Sequence, residues 1–405
     1  MTKPFRTGPE GDKPRSDLRV AYTSNSNPLS IGLHSRVEGY YGESIRRLAS
    51  AVCKKLEVTT GHLKIEDFGA VPFVIAARLE AVLKQANPML KGEYLLPFKK
   101  FAKGKSSRDR FRRSRLYIPG NQPKLMLNAG IHQPDGIILD LEDSVAPIEK
   151  EAARYIVRNA LRALDFFDAE RMVRINQGKL GVKDLECIVP HNVHLVLIPK
   201  VESATQIQDV DKVIKNTSRI NKRKDSVYLM PIIESGRGVL KALEIAEASS
   251  NIVALAIGLE DYTADIGAER TVSGRESFFA RSMIVNAARA AGIQAIDTVF
   301  SDVSDEKSLR ASVREAKSLG FDGKGCIHPC QIGPVHEEFA PSEVDIERAK
   351  EIVLAFDKAT KKGLGVVSLG SKMIDPPVVK RSQRIVKLAT AMKLLNENWK
   401  SNHDK

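Results

Sequence analysis

The chain has 405 residues, of which 42% are hydrophobic, and a formal net charge of +13 at pH 7. This length allows two or three domains, and the hydrophobic content is sufficient for a complete core. No secretory signal opens the sequence, and no apolar run reaches the roughly 18–20 residues that span a bilayer. We therefore expect a cytoplasmic protein with no membrane partner. The four cysteines are scattered and do not form the pattern of a disulfide framework.

The first 87 residues have the pattern of a small α+β domain. The stretch ESIRRLASAVCKKL has apolar residues at helical spacing, and VPFVIAARLEAVLKQA predicts a second helix. Leu63 and Ile65 alternate with polar residues, as in a half-buried strand, and short strands are predicted before them at Leu18–Tyr22 and Leu29–Leu33. This part has no histidine–carboxylate cluster and no glycine-rich loop, so we expect no catalysis from it alone.

Residues 88–112 carry much of the positive charge and separate two parts of the sequence. We expect a solvated, flexible linker here. The alternative is a surface for polyanions, either nucleic acid or the phosphates of a nucleotide-like cofactor. Few aromatic side chains are available for base stacking, so nucleic acid is disfavoured as a partner.

Eight short apolar runs alternate with helical patterns across residues 113–335. This alternation predicts an α/β fold with a parallel sheet, and eight units predict a closed (β/α)8 TIM barrel. The alternative is an open doubly wound sheet, which needs a glycine-rich phosphate turn after an early strand, and PGNQPK is a poor candidate for one. Residues 336–405 are predicted to form a C-terminal helical region.

Polar residues, most of them charged, follow seven of the eight predicted strands. They are Asp140, Glu142, Arg174, Asn176, Lys200, Glu202, Glu234, Glu260, Asp261, Asp297 and His328. In a barrel the carboxyl ends of the strands converge on the face that holds the active site. Several carboxylates at one mouth require a cation, and hard oxygen ligands favour Mg²⁺. The guanidinium of Arg174 suits a substrate carboxylate or acyl oxygen. For Lys200, Glu202 and Asp140, a structural ion-pair network and direct substrate contact both remain open.

Seven motifs of the large domain occur in the order of a known family. They are RSRLYIPGN, GIILDLEDSV, VRINQ, LIPKVES, PIIESGRGV, GLEDYTADIG and GFDGKGCIHPCQI. Together they resemble the citrate lyase beta subunit and the HpcH/HpaI aldolase/citrate lyase superfamily, from Arg113 to about Leu394. The resemblance implies a homotrimeric (β/α)8 barrel that cleaves a 3-hydroxyacyl thioester with the help of Mg²⁺.

The same resemblance implies roles for individual residues. By motif, Glu234 and Asp261 would bind Mg²⁺, and Glu142 would lie beside the metal. Arg174 would hold the acyl or keto-acid oxygens. Asp375 of GSKMIDPPVVKR would reach the site of a neighbouring subunit from a C-terminal lid, where it could act in acid–base catalysis. The basic side chains just before the first barrel strand would suit coenzyme A phosphates only if they faced the mouth.

The N-terminal domain resembles the acyl carrier (gamma) subunit of citrate lyase over most of Ser16–Ala86, above all in DFGAVPFVIAARLEA. The resemblance implies a phosphoribosyl-dephospho-coenzyme A arm on a serine. In KPRSDLRVAY, Arg15 stands at the family's serine position and Ser16 is its neighbour. Either Ser16 carries the arm or the domain is an unmodified scaffold.

The resemblance implies cleavage of a citryl thioester, on the carrier or on coenzyme A, to oxaloacetate and an acetyl thioester. A separate transferase (alpha) subunit would then be a partner. The alternative is a lyase for free malyl-CoA or citramalyl-CoA, with the carrier domain as scaffold. A noncatalytic role in a complex is disfavoured because Glu234, Asp261 and Arg174 are all present.

Overall fold

The computed structural model of the chain describes residues 3–11, 14–271, 273–361, 367–369 and 372–400. The chain forms two compact units, one that ends at Ile332 and one that begins at Gly333. In the described part of the chain, no helix is both long and apolar enough to cross a membrane.

The first unit opens with a four-stranded sheet, of order β1-β2-β4-β3, and two helices. Strand β4 pairs antiparallel with β2 and parallel with β3, and its alternating pattern buries Leu63 and Ile65. Both predicted helices and all three predicted strands are confirmed. The elements are β1 (Phe5–Thr7), β2 (Leu18–Pro28), β3 (Ser30–Ser35), α1 (Glu38–Lys55), β4 (Thr60–Asp67) and α2 (Pro72–Ala86).

The eight predicted barrel strands are all present and close into a parallel barrel, because the last strand pairs with the first. This closure rules out the open doubly wound sheet. The strands are β5 (Ser114–Pro119), β6 (Gly136–Asp140), β7 (Glu170–Arg174), β8 (Leu195–Ile198), β9 (Tyr228–Ile233), β10 (Ala254–Ile257), β11 (Gln294–Val299) and β12 (Gly323–Cys326).

Helices follow the barrel strands, as the alternating pattern predicts. They are α3 (Pro123–Met126), α4 (Lys150–Ala163), α5 (Gly178–Ile188), α6 (Ala204–Ile220), α7 (Gly236–Leu240), α8 (Ala242–Ala246), α9 (Leu259–Asp265), α10 (Phe278–Ala290) and α11 (Glu306–Leu319). Parallel strands are covered on both faces, which explains why their sequences are continuous apolar runs. The apolar cluster that they form includes Ile138, Met172, Leu195, Leu197, Met230 and Ile232.

The basic segment before the barrel lies at the end opposite the mouth. Arg112 is 0% exposed and pairs with Glu170, the first residue of β7, at 2.7 Å. Arg113 pairs at 2.8 Å with Asp135, which precedes β6. Arg115 donates to the sulfur of Met230 inside the barrel. None of the three arginines faces the mouth, so the condition for contact with coenzyme A phosphates is not met, and Arg112 is not solvated.

The second unit contains α12 (Ile332–Phe339), which begins at its boundary, followed by α13 (Glu343–Lys361) and α14 (Pro376–Ala391). Between these two helices, β13 (Val367–Leu369) and β14 (Lys372–Ile374) pair antiparallel. Helices α13 and α14 pack through a small core that includes Val353, Val386 and Trp399. The predicted helical region is thus mainly helical, with a short two-stranded sheet added.

Candidate active site

Two adjacent strands place Asp140 and Arg174 side by side at the mouth of the barrel. The two residues end β6 and β7 and are paired in register. Arg174 donates from Nε and Nη2 to the two carboxylate oxygens of Asp140, both at 2.7 Å. Burial disfavours the charged carboxylate, but the hydrogen bonds and charge of Arg174 hold the pKa of Asp140 below its usual value. Asp140 therefore fixes the orientation of the guanidinium.

The remaining donor group of Arg174 faces the carboxylates of the mouth. Its Nη1 lies 3.1 Å from Oε2 of Glu142 and 3.6 Å from Oδ2 of Asp143. The guanidinium also lies over the ring of Tyr117, 5.4 Å from the ring centroid. Because Asp140 occupies two of the three nitrogens, only Nη1 is directed at the centre of the site.

Lys200 places a positive charge among the carboxylates. Its Nζ lies 3.3 Å from Oε1 of Glu142, 3.4 Å from Oδ1 of Asp143 and 3.6 Å from Oδ1 of Asp261. Its backbone N–H donates to Oε2 of Glu234 at 2.8 Å. Lys200 has a φ of 52°, a left-handed conformation that is uncommon outside glycine. The structure thus gives Lys200 ion-pair contacts at the mouth.

Glu234 follows β9 and is 6% exposed. Burial raises the pKa of its carboxyl group to about 7, and the nearby charge of Asp261 adds to the effect. A Cβ atom on Gly258 would lie 2.5 Å from Oε1 of Glu234, so a side chain at this position would displace the carboxylate. Asp261, in the first turn of α9, is more accessible, with a side chain that is 45% exposed.

The donor atoms around Lys200 fit a magnesium ion. Glu142, Asp143, Glu234 and Asp261 offer only carboxylate oxygens, the hard ligands that Mg²⁺ prefers. Within the ranges given above, no three histidine, cysteine or carboxylate side chains are grouped closely enough to hold a metal alone. Mg²⁺ is usually held by one or two carboxylates together with water and substrate oxygens, so two protein ligands are sufficient.

Two other predicted residues lie at the rim and are engaged by neighbours. Glu202 accepts a hydrogen bond from the Ser235 hydroxyl at 2.7 Å. Glu260 pairs with Arg270, and its side chain is 61% exposed. Both carboxylates therefore have structural partners outside the group around Lys200.

Asp297 was expected at the mouth, and this prediction is wrong. Strand β11 continues to Val299, so Asp297 lies within the strand. Its carboxylate is 1% exposed and binds Lys324 at 2.8 Å and Arg281 of α10 at 3.1 Å. It belongs to a buried ion-pair network between the strands and the outer helices.

Two further predicted residues, His328 and Asp375, are exposed. His328 follows β12, is exposed, and accepts a hydrogen bond from the backbone of Cys330. Asp375, in the second unit, is exposed and immediately precedes α14, where its side chain makes no capping hydrogen bond. Gly370 and Ser371 of its motif lie outside the described residues.

Ser16 lies two residues before β2 in the N-terminal domain. It has a φ of 55°, and its backbone N–H donates to the carbonyl of Phe68 at 3.0 Å. The next residue, Asp17, is buried and pairs with Arg78 at 2.8 Å. Ser16 is therefore half-buried, with one backbone hydrogen bond to Phe68 and an ion-paired residue directly after it.

Sequence reasoning assigned no role to three residues of the site: Asp143, Tyr117 and Gly258. Asp143 directly follows Glu142 in the same acidic run, so its place at the mouth could have been predicted from the sequence. Tyr117 and Gly258 lie in apolar strand patterns, where nothing local indicates contact with Arg174 or Glu234.

Comparison with known proteins agrees with this architecture. Residues 113–329 match the family model of the HpcH/HpaI aldolase/citrate lyase family. Residues 11–86 match the model of the malonate decarboxylase delta subunit, an acyl carrier protein.

Individual relatives cover the barrel and more. The citrate lyase subunit beta of Leuconostoc mesenteroides subsp. cremoris is 39% identical over 291 residues, 71% of this chain and 96% of that protein. The mitochondrial citramalyl-CoA lyase of Rattus norvegicus is 35% identical over 70% of this chain and 87% of its own. The structure of protein CitE from Mycobacterium tuberculosis in complex with magnesium, acetoacetate and coenzyme A is 30% identical, with a TM-score of 0.58, over 70% of this chain and 99% of its own. This chain belongs to the HpcH/HpaI aldolase/citrate lyase family, as its motifs predict.

Proposed function

We propose that the chain is a Mg²⁺-dependent carbon–carbon lyase that cleaves a citryl thioester to oxaloacetate and an acetyl thioester. The observation that carries this proposal is the convergence of Glu142, Asp143 and Asp261 on Lys200, with Glu234 bonded to its backbone. Membership of the family and the similarity to citrate lyase beta subunits support it.

The residues divide the chemistry among them. Glu234 and Asp261 would hold Mg²⁺, which when bound acidifies the substrate hydroxyl and stabilises the ketone that forms. Arg174 would donate from Nη1 to a substrate oxygen on which charge develops. Asp140 keeps that donor in place, since it binds the other two nitrogens of the guanidinium. Glu142, between Arg174 and Lys200, would orient water or substrate beside the metal.

The acid–base group would come from a second subunit. We assign this role to Asp375 in a homotrimer, because its motif matches the family's lid and its carboxylate has no capping bond to occupy it. A carboxylate that is desolvated by lid closure can exchange a proton with the acyl fragment.

The carrier domain decides between two substrates. If Ser16 carries a phosphoribosyl-dephospho-coenzyme A arm, the substrate is a citryl group on that arm, and a separate alpha subunit loads it. Arg15 at the family's attachment position favours a second candidate, a lyase for free citramalyl-CoA or malyl-CoA. The similarity to a citramalyl-CoA lyase also supports this candidate.

The test uses the full chain with citryl-CoA, citramalyl-CoA and malyl-CoA as separate substrates. The keto-acid product is followed with a coupled dehydrogenase, with Mg²⁺ and with EDTA. We expect citryl thioester cleavage that EDTA abolishes. Failure to cleave any of the three thioesters would contradict the proposed lyase, and preference for citramalyl-CoA or malyl-CoA would select the second candidate. An intact mass of the chain from its native host, together with peptide mapping of Thr2–Arg36, decides whether Ser16 is modified.

A further inference from the structure

A buried ion pair joins the N-terminal domain to the barrel. Arg158 of α4 donates to both carboxylate oxygens of Glu80 in α2, at 2.7 Å and 3.0 Å. Both side chains are 0% exposed, and Lys84 also contacts Glu80 at 2.8 Å. The adjacent Asn159 donates to the carbonyl of Phe73 at 3.0 Å. A buried charge separated from its partner is strongly unfavourable, so these contacts hold the two domains in one orientation.

A second contact between the two domains links Asp17, the residue after Ser16, to the barrel through Arg78. Arg78 of α2 is 0% exposed and binds Asp17 of its own domain at 2.8 Å and 3.1 Å. The same guanidinium donates to Glu149 and to the carbonyl of Asn121, both at 3.3 Å.

Both of these barrel partners lie on the side of the mouth. Asn121 follows β5, and Glu149 lies between β6 and α4, in the connection that also carries Glu142. One side chain, that of Arg78, therefore separates Asp17 from the rim of the barrel. Ser16 precedes Asp17 directly, so an arm on Ser16 would begin close to this rim.

We propose that the N-terminal domain is a fixed carrier, which does not leave the barrel during turnover. In this arrangement Arg78 and Arg158 are positioning residues, and the arm on Ser16 covers the remaining distance to the site by its own flexibility. This inference rests on the proposed function for the arm, but the docking of the domain can be measured without it.

The test removes the covalent link between the domains. A recognition sequence for a specific protease is inserted between Pro88 and Met89, in the turn after α2 where Met89 is 77% exposed. After cleavage, the two pieces are separated by gel filtration under native conditions. We expect a fixed carrier to elute with the barrel, and the loaded, cleaved chain to keep the thioester cleavage rate of the uncut chain.

Two variants of α4 sharpen the test. Arg158→Glu places a carboxylate against Glu80 and should release the domain after cleavage. Glu151→Gln changes an exposed acid in the first turn of the same helix and should leave the domain bound. If Arg158→Glu does not fold, Arg158→Met removes the charge with less strain. The cleaved Arg158→Met chain should then separate into its two pieces when it is diluted to protein concentrations at which the cleaved wild-type chain stays together.

The outcomes are distinct. Separation of the wild-type pieces would overturn the fixed carrier, whether or not the uncut chain is active. An Arg158 variant that folds and keeps the pieces together would overturn the role of the buried pair. Co-elution without turnover in either the cut or the uncut chain would leave the docking supported and contradict the proposed function.

Discussion

Arg174 is held by Asp140 through two parallel hydrogen bonds of 2.7 Å, which leaves one guanidinium nitrogen for the site. A bidentate pair of this kind fixes both position and angle, so it preorganises the donor before substrate binds. The electrostatics agree, because the pKa of Asp140 is held below its usual value in spite of burial.

We predict that Asp140→Asn lowers kcat by about 10- to 100-fold, since Arg174 loses a charged partner and turns toward Glu142. Arg174→Lys should cost about 100- to 1,000-fold, because an ammonium cannot bind Asp140 in two places and donate to substrate as well. Steady-state kinetics measure both changes. Mg²⁺ affinity close to that of the wild type serves as the control, and wild-type kcat in Arg174→Lys would contradict the assignment.

Removal of either proposed metal ligand should abolish Mg²⁺-dependent cleavage. The variants are Glu234→Gln and Asp261→Asn, and calorimetric titration should show weaker Mg²⁺ binding in each. Glu260→Gln is the matched control, because Glu260 precedes Asp261 but pairs with Arg270 at the rim. Full activity in both ligand variants would eliminate this metal site.

Mg²⁺ binding should depend on pH through Glu234. Burial raises the pKa of this carboxyl group to about 7, so it is mostly protonated below that pH and unable to bind a cation. The dissociation constant of Mg²⁺ should rise about tenfold for each pH unit below about 7 and level off above it. Titration calorimetry across this range measures the slope, and a constant affinity would show that Glu234 is not a ligand.

Lys200 should oppose Mg²⁺, because its ammonium lies between the carboxylates of Glu142 and Asp261. Lys200→Met removes that charge and should tighten Mg²⁺ binding about tenfold, or by about 1.4 kcal/mol. Lys222→Met is the matched control, since Lys222 has the same φ of 52° but is exposed outside the site. Unchanged or weaker binding in Lys200→Met would contradict the competition.

A substitution at the end of the barrel opposite the mouth should lower stability without changing activity. Arg112→Met leaves Glu170 buried without its ion-pair partner, which should lower the free energy of unfolding by about 3–5 kcal/mol. Because this pair lies at the amino ends of the strands, kcat should stay at its wild-type value. Denaturant unfolding and kinetics together test this. A loss of kcat without a loss of stability would place Arg112 near the chemistry.

Local sequence patterns were sufficient for the eight barrel strands and the two helices of the N-terminal domain. The spacing of apolar residues shows which side of a strand or helix is buried, and it can be recognised within a few neighbouring residues of the sequence. Glu234, Asp261, Arg174 and Glu142 could be placed at the mouth for a related reason, whereas their roles in metal and substrate binding come from the family motifs and stay predictions. Parallel strands end at the same face, so residues after different strands meet without any knowledge of their partners.

Two predictions from the sequence were wrong. One misplaced the end of a strand, and the other missed an ion pair between residues that are far apart in the sequence. Asp297 was expected at the mouth because the pattern placed the end of its strand too early, whereas β11 continues to Val299. The charge of residues 88–112 indicated a solvated linker, but Arg112 is buried against Glu170, far along the chain.

Periodicity and motif order are properties of the chain, so they were enough to predict the barrel, the carrier-like domain, the family and the chemical character of the mouth. Which charges meet became known from the folded chain alone. It paired Arg174 with Asp140, placed Lys200 among the carboxylates, and joined Arg78 to both Asp17 and Glu149. Such contacts depend on side-chain direction and on distances across the fold, which no local pattern of residues contains.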